Sequence, residues 1–348
     1  MGWVTSDAPT REELDSCVQC GLCLPQCPTY RLTGKETASP RGRLMAMAAV
    51  ADGVVQVDEA FAGVMEFCLQ CRACEVVCPS LVPFGRAMEG ARVEIAAQLG
   101  TPQRAARRMV VGRFLGVGQA VRAATVGARL LQRTGMGRKL PGVLGRSFGG
   151  LRPLDGHDSV VGKHFAAIGD RVGRVGLLAG CVMDPWFGDV HTASIEVLRR
   201  AGYDVVVPGN QTCCGALAAH DGEAGGARRM AKENAAAFAS VDLIVADAAG
   251  CSAHLKEYGH WIGSIGASVA GRARDVTEVV ADAIEQGRLP RLDTDRGPVA
   301  VQDPCHLRHV QRVVEQPRAI LRAAGYRPVE IDPEGRCCGA AGLYSLQH

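Results

Sequence analysis

In the second half of the chain, two apolar runs, VGLLAG before Cys181 and VAVQDP before Cys305, each lead through a helical stretch to a glycine. A second apolar run follows each glycine, in AGYDVVV and AGYRPVEI. Apolar strand, helix, strand is the pattern of right-handed crossover units in a mostly parallel sheet. The first half shows no such alternation. Ser39-Pro40 reads as an N-cap with proline at the first helical position, opening the helix-forming run RGRLMAMAAVA. Between the halves, Val110, Val111, Phe114, Leu115 and Val117 recur at helical intervals and predict short amphipathic helices. No window offers eighteen uncharged apolar residues, and MGWVTSDAPTREELDS lacks a signal-peptide core. The expectation is a cytoplasmic, non-spanning protein.

Fifteen of 348 residues are cysteine, and in a reducing compartment such a set is better suited to ligation than to disulfides. Their spacing carries the argument. CVQCGLCLPQCP at 17–28 and CLQCRACEVVCP at 68–79 repeat one pattern: gaps of two, two and three residues, then proline. Three thiolates at two-residue gaps wrap one corner of a compact cluster, and the fourth, stiffened by proline, serves the neighbouring cluster, as in two-cluster ferredoxins. Cys17, Cys20, Cys23 and Cys78 are therefore expected at one [4Fe-4S] centre, and Cys68, Cys71, Cys74 and Cys27 at a second. Zinc shares the C-x2-C spacing, but it gives no reason for a third cysteine and a C-P ending repeated twice. Forty residues separate Cys27 from Cys68, so helices should fill the gap in a helical ferredoxin domain reaching about residue 98.

Cys181 precedes Cys213-Cys214-Gly215 by thirty-one intervening residues, and Cys305 precedes Cys337-Cys338-Gly339 by the same number, an offset of 124. Ligands of open α/β sheets gather beyond the carboxyl ends of strands, where Cys181 and Cys305 fall. A glycine after each pair tolerates positive φ and close approach of a bulky guest. In the first repeat the set continues to Cys251, with His254 read as an ordinary, partly exposed helix residue. One possible site is thus Cys181, Cys213, Cys214 and Cys251; a second, incomplete, is Cys305, Cys337 and Cys338. The matching third position would lie near residue 375, past His348, so the second site is either degenerate or part of a shortened repeat. The expected fold is α+β and multidomain: an N-terminal α-helical two-cluster ferredoxin domain, then two α/β CCG repeats, the second truncated. The expected boundaries are 1–98, a basic helical connector 99–172, 173–290 and 291–348.

A formal charge of +3 and 5% aromatic residues argue against nucleic acid as a partner. Charge is instead concentrated locally. Residues 100 to 152 contain no acid but eleven basic side chains, among them Arg104, Arg107 and Arg108. This stretch reads equally as a foot on an anionic membrane or acidic partner and as a cover for the core domain. No G-x-G-x-x-G follows a strand, so the chain has no evident dinucleotide site.

C-x31-CC-G-x35-C resembles the cysteine-rich CCG module of heterodisulfide reductase. Combined with the two N-terminal runs, it resembles the iron-sulfur subunit of bacterial glycolate oxidase over nearly the whole chain. ETASPRGR, TCCGAL with His220 nearby, SAHLKEYGH and CCGAAGLYSLQ carry the likeness further. The departures are the missing second cysteine of C-x2-C and the absent C-terminal continuation. The resemblance implies a separate FAD subunit that oxidises glycolate to glyoxylate, with this chain relaying electrons one at a time to a quinone-type membrane acceptor. It also implies two [4Fe-4S] clusters, with a further cluster possible at the CCG site; the basic connector adds a possible peripheral contact with the inner face of the cell membrane. The same architecture suits a D-lactate or glycerol 3-phosphate dehydrogenase, or a disulfide reductase acting at the CCG site.

Overall fold

A computed structural model describes residues 2–139, 153–154, 158–332, 335–339, 342 and 344. The N-terminal part is helical throughout: Arg11–Asp15, Pro28–Thr33, Pro40–Ala51, Glu59–Glu66, Ala73–Val76 and Phe84–Gln98. Ser39 caps its helix as expected, its Oγ accepting the Gly42 amide at 3.0 Å. Leu44, Met47, Phe61, Met65, Met88 and Ile95 form a core between these helices. The segment before the first helix is held by buried Glu94, whose carboxylate accepts the Val4 and Thr5 amides at 2.8 and 2.7 Å.

Among the described residues seven short strands follow: β1 (His164–Phe165), β2 (Gly173–Leu177), β3 (Tyr203–Val206), β4 (Leu243–Ala246), β5 (Ala273–Asp275), β6 (Pro298–Val301) and β7 (Arg327–Glu330). The first five form one sheet in the order β1-β3-β2-β4-β5, parallel except for the β1 edge. Val175, Leu177, Ile244 and Val245 are wholly buried, which is why these strands read as continuous apolar runs. The chain leaves β2 for β3 on one side and returns to β4 on the other. The order therefore reverses at β2, making a switch point beyond the ends of β2 and β4. β6 and β7 pair in parallel around the helix Glu315–Ala323. The strand pair β2 and β3 and the pair β6 and β7 thus have the same build.

The amphipathic stretch forms the helices Pro102–Gly112 and Gly118–Arg133. Arg104, Arg107 and Arg108 do not present a foot to a membrane. Arg104 is buried and bonds Glu59 at 2.6 Å and Glu66 at 3.2 Å; Arg107 bridges Glu66 at 3.1 Å and Asp221 at 2.7 Å; Arg108 donates to the Ala96 carbonyl. Carboxylates up to 114 residues away in sequence supply the acids that the stretch itself lacks. The basic positions from 140 to 152 lie outside the described residues.

The helix Phe84–Gln98 joins the N-terminal part to the sheet domain. Arg92 donates to the His220 carbonyl at 2.7 Å, Glu89 and His220 Nδ1 meet at 2.9 Å, and Arg72 pairs with Glu257. Gly222, at φ +79°, lies so close to this helix that a Cβ would stand 2.2 Å from the Arg92 carbonyl oxygen. Only glycine allows both that φ and that approach.

Candidate metal centres

The two N-terminal cysteine runs share backbone shape as well as spacing. The residues flanking the middle cysteine have positive φ in both runs: Gln19 (54°) and Gly21 (83°) around Cys20, Gln70 (53°) and Arg72 (60°) around Cys71. Three of these four are not glycine, so the loops carry strain of about 1 kcal/mol at each. Cys27 is the N-cap of Pro28–Thr33, which explains the proline: its fixed φ starts the helix and needs no amide donor.

Folding sorts these thiols into two neighbouring pockets. One, of about 440 Å³ with its mouth included, is lined by Cys17, Cys20, Cys23 and Cys78, with Cys74 on its wall. The other, of about 290 Å³, is lined by Cys27, Cys68, Cys71 and Cys74. The first pocket thus takes three thiols from the first run with Cys74 and Cys78 of the second, and the second takes three from the second run with the last thiol of the first, Cys27. Among the described residues no three His, Cys, Asp or Glu side chains close to the geometry of a single metal ion. Burial pushes the Cys74 and Cys23 thiols up, and Cys71 is raised by its hydrogen bond to Cys337. Such thiols keep their protons until a metal core displaces them, because ligation deprotonates a thiol outright. A soft, sulfur-only donor set of this kind fits iron-sulfur clusters.

Both cysteine-rich sets open into one larger cavity of about 1480 Å³, its mouth included. Cys181 follows β2, and Cys251 lies in the first turn of the helix Ala249–Lys256 that follows β4, so both stand at the switch point. Cys213 and Cys214 are buried and end at Gly215 (φ +94°); Gly339 after Cys338 has φ +82°. Cys181, Cys213, Cys214 and Cys251 line the cavity together; the neighbouring Cys213 thiol and burial push Cys181 up, while Cys213 is drawn down by Cys181 but raised on balance by Cys214 and burial. On the other side, Cys337 receives hydrogen bonds from Cys305 and Cys71, which pull it down to about 3. Cys68 and Cys71 also line this cavity.

Several residues here were invisible to sequence reasoning. Asn234 Nδ2 bonds the Cys213 carbonyl at 2.9 Å and Tyr258 Oη bonds the Cys214 carbonyl at 2.7 Å, clamping the Cys-Cys turn. His254 is not partly exposed: it is 2% exposed, and neither ring nitrogen has a hydrogen-bond partner. Its ring stands 6.4 Å from that of His220, which stands 5.3 Å from His306. Burial pushes His220 and His306 down to about 4, and burial pushes the Glu89 carboxyl up to about 7. His306 holds the Gln70 carbonyl at 3.1 Å, tying the second cysteine run to the cavity wall.

Residues 13–82 match the family described as 4Fe-4S dicluster domain, and residues 175–256 and 299–348 match the cysteine-rich domain family. A dicluster module docked on a cysteine-rich α/β domain defines an iron-sulfur protein of the electron-transferring class. The chain is 35% identical to the probable glycolate oxidase iron-sulfur subunit of Bacillus subtilis (strain 168), covering 96% of this chain and 80% of that one. It is 30% identical to the glycolate oxidase iron-sulfur subunit of Escherichia coli (strain K12), covering 96% and 81%. It is 28% identical to a subunit of the fumarate reductase (CoM/CoB) of Methanothermobacter marburgensis, covering 97% and 60%. This chain belongs to the family of glycolate oxidase iron-sulfur subunits: it is an iron-sulfur electron-transfer subunit of an acceptor-linked oxidoreductase. No solved structure matches it.

Proposed function

We propose that this chain carries electrons from a separate FAD subunit, where glycolate becomes glyoxylate, to a quinone-type acceptor. In this reading Cys17, Cys20, Cys23 and Cys78 hold one [4Fe-4S] cluster and Cys68, Cys71, Cys74 and Cys27 hold the second. Cys181, Cys213, Cys214 and Cys251, with Cys305, Cys337 and Cys338 opposite, offer thiols for a further iron-sulfur group. The modules correspond to 1–98, 99–172, 173–290 and 291–348.

The observation that carries the reading is the shared walls. Cys74 lines the first and second pockets, and Cys68 and Cys71 line the second pocket and the cavity. Three thiol-lined sites therefore stand in one row. Iron-sulfur clusters, when bound, each accept and release one electron, which lets the pair delivered by a flavin be divided. The chain's own residues fix the spacing of the row, exclude solvent from its middle and set Cys71 and Cys337 on the wall of the same cavity.

Contact with the membrane surface is assigned to the outer face of the connector. There Val126 and Leu130, one helical turn apart, are exposed beside Arg133, and Met109, Val110, Phe114 and Val117 are exposed near Arg113. Among the described residues no helix is long and apolar enough to cross a membrane.

The test is anaerobic co-purification with iron counting and flavin assay. Cys20→Ser and Cys71→Ser should each abolish quinone reduction while glycolate still reduces the partner's flavin. Normal quinone reduction in either variant would refute the relay.

A further inference from the structure

Arg43 has no exposed surface and is among the largest fully buried side chains of the described residues. Its Nε donates to the Val64 carbonyl at 2.9 Å, and Nη1 to the Ala38 carbonyl at 2.9 Å. Nη1 and Nη2 reach Thr29 Oγ1 at 3.2 and 3.1 Å, and Nη1 lies 4.0 Å from Cys27 Sγ. Every one of these partners is a neutral oxygen or a sulfur. Among the described residues no carboxylate pairs with Arg43. A buried guanidinium without a counter-charge is a cost that a marginally stable fold does not carry unanswered.

Its surroundings indicate where the missing charge belongs. Arg43 lines the second pocket together with Cys27, Cys68, Cys71 and Cys74. Four thiolates around an iron-sulfur core leave a net negative charge, and reduction adds one more. Nearby cations do not share this condition. Arg72, on the same pocket, is paired with Glu75 at 2.8 Å and with Glu257. Arg41, two residues earlier, lines the first pocket but is neutralised by Glu36 at 2.7 Å and is partly open to solvent. The helix start therefore sends a neutralised arginine to one pocket and a free, desolvated one to the other.

We propose that Arg43 is the built-in counter-charge of the cluster at Cys27, Cys68, Cys71 and Cys74, and that it raises this cluster's reduction potential above that of its neighbour. A positive charge held in a low-dielectric interior stabilises the reduced, more negative state of that cluster more than the oxidised one. Electrons then settle on the pocket that adjoins the large cavity, which gives the row a direction. Arg43 acts as an electrostatic positioning residue and touches no substrate.

This inference rests on the ligand sets proposed above. The experiment is an anaerobic redox titration of the full-length holoprotein, followed by electron paramagnetic resonance, with Cys20→Ser and Cys27→Ser used to assign the two signals. Arg43→Gln should lower the reduced-to-oxidised ratio of the Cys27-dependent signal at least tenfold at the wild-type midpoint, about 59 mV for a one-electron couple. If the variant instead fails to hold that cluster, it should lose its iron alone, and Arg43→Lys should restore it. The other signal should not move. Full iron with both midpoints unchanged in Arg43→Gln would overturn the inference, as would equal loss of both clusters in Arg43→Gln and Arg43→Lys. If Cys20→Ser and Cys27→Ser remove the same signal, the ligand sets fail instead.

Discussion

Gly222→Ala tests whether the docking of the two modules governs electron flow. The new Cβ would stand 2.2 Å from the Arg92 carbonyl oxygen and 2.5 Å from its carbon, both backbone atoms that no rotamer change can move. Holding alanine at φ +79° adds about 1 kcal/mol, and overpacking of this kind adds about 1 to 3 more. A total of about 3 kcal/mol weakens docking roughly hundredfold. The amides of Asp221 and Glu223, now hydrogen-bonded to Leu217 and Ala218, should exchange correspondingly faster. Electron transfer from the N-terminal clusters to the acceptor should slow, because the cavity that Cys68 and Cys71 share with Cys337 would open. Iron content should stay at the wild-type level, since no cysteine is touched. Exchange within about threefold of wild type, or an unchanged transfer rate despite faster exchange, would refute the reasoning.

Two further outcomes concern charge. Burial lifts the Glu89 carboxyl from 4.5 to about 7, so the folded state favours its protonated form and loses stability as pH rises from about 4.5 through 7. Glu89→Gln lacks this loss, and should gain about 3 kcal/mol over wild type near pH 8 but less than about 1 kcal/mol near pH 5; thermal melting at both values checks it, and an equal gain at both defeats it. Val126→Glu with Leu130→Glu should weaken flotation with anionic vesicles severalfold and leave soluble electron transfer intact, whereas Arg107→Gln should loosen the module interface instead; unchanged flotation removes the membrane assignment.

The cysteine runs and the strand pattern were legible because both are local: spacing fixes which thiols can share a guest, and apolar runs mark buried parallel strands. Ser39 was legible for the same reason, since a cap is a matter of three residues. The connector's arginines were not, because their partners Glu59, Glu66 and Asp221 lie tens of residues away on either side. His254 was misjudged because the polar run KEYGH suggests an exposed helix, while the fold packs its helix against β4, β5, the helix Tyr258–Arg272 and the His306–Val310 segment. Arg43 sits in a motif, ETASPRGR, that sequence reading took as a helix start and as part of the family likeness, with no role for this side chain. Its role depends on the absence of an acid near it, and only the folded packing reveals that.

The shared thiol walls also set how the protein fails. Sites joined in series have no bypass, so damage at any one interrupts the whole circuit. Cys17, Cys20 and Cys23 border a single pocket, but Cys68, Cys71 and Cys74 each border two. An oxidised sulfur at the middle of the row therefore injures two neighbours at once, and of the two N-terminal pockets this is the more buried: Cys27, Cys68 and Cys74 are buried, whereas Cys20 is exposed. Protection from oxygen is concentrated at the link whose loss would be the most expensive.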